Sequence, residues 1–143
     1  MAIQQLTVFV ENTPGAIIPV TETLANNNIN LRALSLAETE DFGILRLIVT
    51  DTARAEQVLK AEGYLTRIAE VVGVKIGDAP GKLSDALKVL AESKVSLEYL
   101  YSFFARTERH AYVVLRVEDN AAAQAALTNA GLHLITDADI QKL

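Results

Sequence analysis

Two short segments of the 143-residue chain carry residue types suited to holding an anion: Asn12-Thr13-Pro14-Gly15-Ala16-Ile17 and Asp78-Ala79-Pro80-Gly81-Lys82-Leu83. Each leads into a stripe of apolar residues at helical spacing. A helix N-terminus offers unpaired backbone N–H groups and the positive end of the peptide dipole, which together suit a carboxylate. Proline fixes its own φ and lacks a donor, and glycine has no Cβ, so a ligand can approach the N–H groups that follow. Gly15-Ala16-Ile17 and Gly81-Lys82-Leu83 are therefore the candidate cradles, with Lys82 adding a cation in the second only. Pro19 stands too close for a helix to run regularly from Pro14, which predicts a start near Ala16 or a widened first turn with N–H groups left free. The same residues also serve ordinary turns: Asn12 and Asp78 are common helix caps, and Pro-Gly is common turn chemistry. Because the turn should lie at the surface, Gly81→Val is expected to block the second cradle and leave the fold intact.

Other chemistry finds little support. The chain has no cysteine, hence no disulfide, no thiolate metal site and no cysteine nucleophile. His110 and His133 lack a second ligand at metal-like spacing and read as strand residues. Asp137 and Asp139 follow Thr136 and fit the cap of a short terminal helix. Neither a phosphate-cradling glycine loop nor a nucleophile elbow is present. The expectation is of no catalytic residues, no metal, no cofactor and no enzymatic activity.

The elements that must position the two turns follow from periodicity. Leu6, Val8 and Val10 alternate with Gln5, Thr7 and Phe9 as in a half-buried strand, and Ile17, Val20 and Leu24 then make a helical stripe ending at Asn26-Asn27-Asn28. Residues 29–38 and 42–50 read as a hairpin across Thr39-Glu40-Asp41. Asp51 opens a second helix that ends near Gly63, and Tyr64 to Ala69 closes the unit. The pattern then begins again. Superposing Pro14-Gly15 on Pro80-Gly81 places Leu6, Val8 and Val10 on Val72, Val74 and Ile76. After the second hairpin the offset grows by two residues, pairing Asp51 with Asp119, Leu59 with Leu127 and Gly63 with Gly131. The second hairpin is thus expected to be two residues longer. Each unit is strand, helix, strand, strand, helix, strand, the α+β ferredoxin-like pattern of an antiparallel sheet with helices on one face. The expected domains are 1–70 and 71–143, with hardly a linker between them.

Composition bounds the partners. Half the residues are hydrophobic and 22% are charged, as in a globular protein. A net charge of −5 with no basic run argues against nucleic acid. No apolar stretch approaches a membrane span, and the opening Met1-Ala2-Ile3-Gln4 is no leader, so a cytoplasmic location without membrane association is expected.

A strand ending in Asn-Thr-Pro-Gly or Asp-Ala-Pro-Gly, a helix, then Asn30 or Ser96 with an apolar residue opening the next strand, twice over, resembles the ACT family. That resemblance implies regulatory domains that bind amino acids at interfaces between paired domains and that often attach to or partner enzymes of amino-acid metabolism. It implies a free amino acid or similar small molecule as ligand. Asp78 or Asn12 would then accept from its ammonium group, and the second strands, opening at Asn30 and Ser96, would contact ligand from a neighbouring domain. Pro14, Gly15, Ala16, Ile17, Pro80, Gly81, Lys82 and Leu83 complete the expected ligand set. Tyr99, Tyr101 and Phe103, on alternate positions, are more readily a core or interface face than a ligand cage. Beside an amino-acid sensor stands the alternative of a regulatory subunit or interaction module of an enzyme such as acetolactate synthase. The sheet face away from the helices, with Thr7, Phe9, Ile44, Ile48, Tyr112 and Val114, is expected to want a partner, and a two-fold homodimer is the commonest solution.

Overall fold

Both helical stripes of each repeat need an apolar surface to cover, and the alternating strands supply one. The computed structural model describes residues 2–143. The first repeat folds as β1 (Ile3–Val10), α1 (Ile18–Asn26), β2 (Leu31–Glu38), β3 (Gly43–Val49) and α2 (Thr52–Ala61), and runs into β4 (Thr66–Gly77). The second continues through α3 (Lys82–Glu92), β5 (Leu97–Arg106), β6 (His110–Val117), α4 (Asn120–Asn129), β7 (His133–Leu134) and α5 (Asp137–Lys142). One unbroken strand, β4, thus ends the first repeat and begins the second. The compact units divide between Ala69 and Glu70, with Ile3 counted in the second.

In the first unit β3 lies between β1 and β2, antiparallel to both, and the start of β4 adds beyond β1, where the Phe9 N–H donates to Leu65 O at 3.1 Å. In the second unit β6 lies between β5 and β4, and β7 adds beyond β4. This is the ferredoxin-like order twice. Leu6, Val8, Val10, Leu45, Leu47 and Val49 meet Val20 and Leu24 of α1 and Ala55 and Leu59 of α2 in one core. Val72, Val74, Ile76, Val113, Leu115 and Val117 meet Ala86, Leu90, Ala123 and Leu127 in the other. The helices therefore cover one face of each sheet. On the opposite face Ile48 and Val114 are fully buried, and Thr7, Phe9, Ile44 and Tyr112 are half-buried.

The duplication reaches individual hydrogen bonds. Asp51 caps α2 by accepting from Arg54 N–H at 3.1 Å, and Asp119 caps α4 by accepting from Ala122 N–H at 3.0 Å. Asn28 (φ 56) and Lys94 (φ 58) turn the chain out of α1 and α3. Thr39 and Thr107 close the two hairpins with the same hydroxyl acceptor, for Phe42 N–H and His110 N–H. The hairpin loops are consequently equal in length. The two surplus residues of the second repeat instead sit within β5, where the register against β6 slips between Ser102 and Arg106. A bulge absorbs an insertion without moving the loop.

Helix α5 has no counterpart in the first repeat. Thr136 and Asp139 form a reciprocal capping box: the Thr136 hydroxyl accepts from Asp139 N–H at 3.2 Å, and the Asp139 carboxylate accepts from Thr136 N–H at 2.9 Å. The backbone N–H of Thr136 is the largest influence holding the Asp139 carboxyl below its ordinary range, with the Thr136 hydroxyl and His133 adding to it and partial burial opposing it. A carboxyl whose pKa falls on folding stabilises the fold above its unfolded value and loses that contribution as pH falls through the folded value. Protection of the Ile140 amide, its exchange rate taken relative to the intrinsic rate at each pH, is therefore expected to fall on acidification from about pH 5 to pH 3. In Asp139→Ala protection should already be low at pH 5 and change little further.

Candidate functional site

The first turn builds a cavity. Thr13 to Ile17 fold as consecutive turns, in which Ala16 N–H donates to Thr13 O at 3.2 Å and Ile18 N–H to Gly15 O at 3.1 Å, before α1 starts at Ile18. The helix thus begins two residues later than Ala16, the nearest start the spacing suggested. Pro19 explains the delay: in the first turn of a helix its missing donor removes nothing, whereas further inside it would break a bond. Gly15 is left-handed at φ 74. Among the described residues the N–H groups of Gly15 and Ile17 have no recorded acceptor.

A cavity of about 430 Å3 opens beside these groups, walled by Asn12, Thr13, Gly15, Ala16 and Ile17 of the turn, Val10 and Glu11 at the end of β1, and Leu36, Ala37 and Glu38 at the end of β2. Asn12 Nδ2 donates to Thr39 O at 2.8 Å, which ties the turn to the hairpin. Gly43, opposite Val10 in the ladder, lets β3 pass close beneath: a Cβ there would lie 2.9 Å from Val10 Cγ2, 3.3 Å from Asn12 Oδ1 and 3.4 Å from Leu36 Cδ1. Leu36 remains 53% exposed, and so does Ile18 beside the turn. The arrangement offers backbone donors to an oxyanion, an amide and a carboxylate (Glu11 or Glu38) to a cation, and an apolar wall to a side chain.

The second turn is built differently. Asp78, the expected acceptor, is paired with Arg106 at 3.7 Å, and its N–H donates to Arg109 O at 2.8 Å. The Lys82 stem lies over Gly77, where a Cβ would come 3.0 Å from Lys82 Cγ. Ala111 stands opposite Ile76 where the first repeat has Gly43 opposite Val10. A cavity of about 210 Å3 nearby takes Gly77 and Lys82 into its wall, but not Asp78, Pro80, Gly81 or Leu83. Gly81 is the N-cap of α3 at φ 88, and a Cβ there would meet no atom within 4 Å. A valine at Gly81 therefore meets no neighbouring atom, but it strains the backbone at this positive φ, so the fold is not left untouched.

Within each unit the structure does not bring Asn30 or Ser96 to the turns. Asn30 exchanges hydrogen bonds with Thr50, and Ser96 O accepts from Glu118 N–H, both at the opposite end of the second strand from the turn cavity. Pro14 lies in the first turn but not in the cavity wall. Tyr101 and Phe103 are buried, and Tyr99 stacks on Tyr101 at 6.4 Å between ring centroids. Leu36, Ala37, Glu38 and Gly43 were not in the expected ligand set, although the second strand that carries the first three was expected to contact ligand. A further signal was the Gly43/Ala111 difference between otherwise matching strands.

Among the described residues no group of three or more His, Asp or Glu side chains is placed to hold a metal, and no helix is long and apolar enough to cross a membrane. No curated protein sequence matches the chain. The structure is similar to the crystal structure of a protein from Bacteroides thetaiotaomicron, with 38% sequence identity, coverage of 100% of this chain and 98% of that one, and a TM-score of 0.93. It shares its fold with the ligand-free regulatory subunit of aspartate kinase from Thermus thermophilus (18% identity, 89% and 91% coverage, TM-score 0.64). The same holds for the regulatory subunit of aspartate kinase from Thermus flavus (17% identity, 90% and 92% coverage, TM-score 0.62). The family described as ACT domain pair matches residues 1–143 in full, as the duplicated fold requires, and the chain belongs to that family of regulatory domains.

Proposed function

We propose that the chain is an amino-acid sensor without catalytic activity, and that the cavity beside the first turn is its binding site. The observation that carries this reading is the pairing of free N–H groups on Gly15 and Ile17 with an open cavity walled by Asn12, Glu38 and Leu36. Backbone donors at a turn before a helix suit the α-carboxylate. Glu11 or Glu38 with the Asn12 amide suits the α-ammonium, and Leu36 and Ile17 give the side chain an apolar contact. The second turn, with Asp78 paired to Arg106 and Lys82 laid across Gly77, is the weaker site. A two-fold homodimer would cover Ile18 and Leu36 and complete the open side of the cavity. A catalytic partner is the second reading, favoured by the fold shared with aspartate kinase regulatory subunits. It is tested by co-purification of an enzyme of amino-acid metabolism and by a change in that enzyme's activity.

A thermal-shift screen against the twenty amino acids tests the sensor reading. A ligand at about 100 times its Kd should stabilise by about 2.7 kcal/mol, or about 5–10 °C at this chain length. Gly43→Ala installs in the first repeat the residue the second repeat carries, and crowds Val10, Asn12 and Leu36 together. It should abolish the ligand-dependent rise while the unliganded protein still melts cooperatively. Twenty unchanged melting temperatures would remove the sensor reading, and an undiminished shift in Gly43→Ala would move the site elsewhere.

A further inference from the structure

The sheet face away from the helices has diverged between the two repeats. In the first, Phe9 stands opposite Ile44 and bonds to Leu65 through its N–H; Phe42 packs edge-on against the Phe9 ring at 5.5 Å, and Arg67 lies over it. In the second, the matching positions are Lys75, opposite Tyr112 on β6 and His133 on β7. An aromatic and aliphatic cluster has become a row of lysine, tyrosine and histidine. Helix α5, absent from the first repeat, then flanks that row.

The result is a second cavity, of about 370 Å3, wholly within the second unit. Lys75 and Tyr112 form its floor on the sheet, with Arg106, His133 and Lys142 around it and Ile135 as an apolar side. The acidic side chain in its wall, Asp139, is engaged with the N–H and hydroxyl of Thr136 and lies 3.4 Å from His133 Nε2. Arg106 is shared with Asp78 outside the cavity. Half-buried Lys75 has no carboxylate or ring partner among the described residues. An ammonium in a cavity wall without a carboxylate partner is available to pair with an anion. The Tyr112 ring beside it offers a flat surface to the ligand's body.

We propose that this cavity is a second ligand site, separate from the first turn, for a small organic oxyanion: a carboxylate or phosphate carried on a planar or apolar body. Lys75 pairs with the oxyanion, Lys142 and Arg106 add to the attraction at the rim, and the body lies between Tyr112 and Ile135. The volume fits one small molecule rather than a peptide or a polymer.

The test uses the 15N-labelled full chain titrated to millimolar concentration with benzoate, phenyl phosphate and neutral benzyl alcohol, followed by amide shifts and the His133 imidazole protons. Saturable shifts at Lys75, Tyr112 and His133 with one or both anions, and none with benzyl alcohol, are expected; the stronger anion identifies the headgroup. Lys75→Gln should weaken binding at least about fivefold and Lys75→Arg should largely restore it, since a charge-assisted hydrogen bond to the ligand is lost and regained. Gly43→Ala, in the other repeat, should leave it unchanged. Absence of saturable shifts with either anion, or Lys75→Gln binding as the wild type does, would overturn the proposal.

Discussion

Leu59→Ala and Leu127→Ala are each expected to lower the free energy of unfolding by about 3 kcal/mol or more, in the range measured for removing a buried leucine. The two residues occupy matching positions on α2 and α4, both with no solvent exposure, and each faces the sheet of its own repeat. The loss combines the transfer energy of three carbons with the cavity they leave between strands that cannot close in. At this chain length such a loss moves the melting temperature by about 6–12 °C. Hydrogen exchange adds location. Leu59→Ala should accelerate exchange chiefly within residues 4–69, and Leu127→Ala chiefly within 70–143, the division that Cα packing gives and that we propose as the domain boundary. A uniform acceleration along the whole chain by either variant would refute that boundary.

The same symmetry explains what a reader of the sequence can and cannot extract. Leu59 and Leu127, Asp51 and Asp119, and Pro14-Gly15 and Pro80-Gly81 are visible because local rules act on them. Helical spacing, caps and turns depend on neighbours within a few residues. The two residues inserted in the second repeat were visible as an offset, but their place was not. Loop and bulge accommodate an insertion equally well in one dimension, and only the β5–β6 register, slipping between Ser102 and Arg106, decides between them. The turn site was half legible. Asn12, Gly15, Ala16 and Ile17, singled out by their types, line the cavity, whereas Leu36 to Glu38 reach it from a strand end some twenty residues later in the chain. Asp78 illustrates another limit: a carboxylate that stands alone in the sequence is paired with Arg106 at 3.7 Å in space. Side-chain identity states what a group can bind, and tertiary pairing decides whether it is still available.

Gly73→Val is the second large effect to be expected, about 3 kcal/mol in the upper part of the overpacking range. Gly73 sits in β4 between core residues Val72 and Val74, and its carbonyl accepts from Ile135 N–H at 2.7 Å. A Cβ at Gly73 would stand 2.8 Å from Ile135 Cβ and 3.1 Å from Ile3 Cδ1. The first of these is a stem atom fixed to the backbone, so no rotamer change relieves it. The strand must bend, or the segment carrying Ile135 must move away. The second is the cheaper route, because β7 is only two residues long and α5 six. Valine at 73 should therefore detach β7 and α5 before it unfolds β4, β5 and β6. It should raise exchange at Ile135 and Ile140 well beyond that at Val113 and Leu115. Since Ile135, His133 and Lys142 wall the cavity above Lys75, the same variant should also lose the anion-dependent shifts at Lys75 while keeping its amino-acid-dependent stabilisation at the first turn. Loss of both responses together would show that the two cavities are not independent. Loss of neither would show that α5 does not help to build the second.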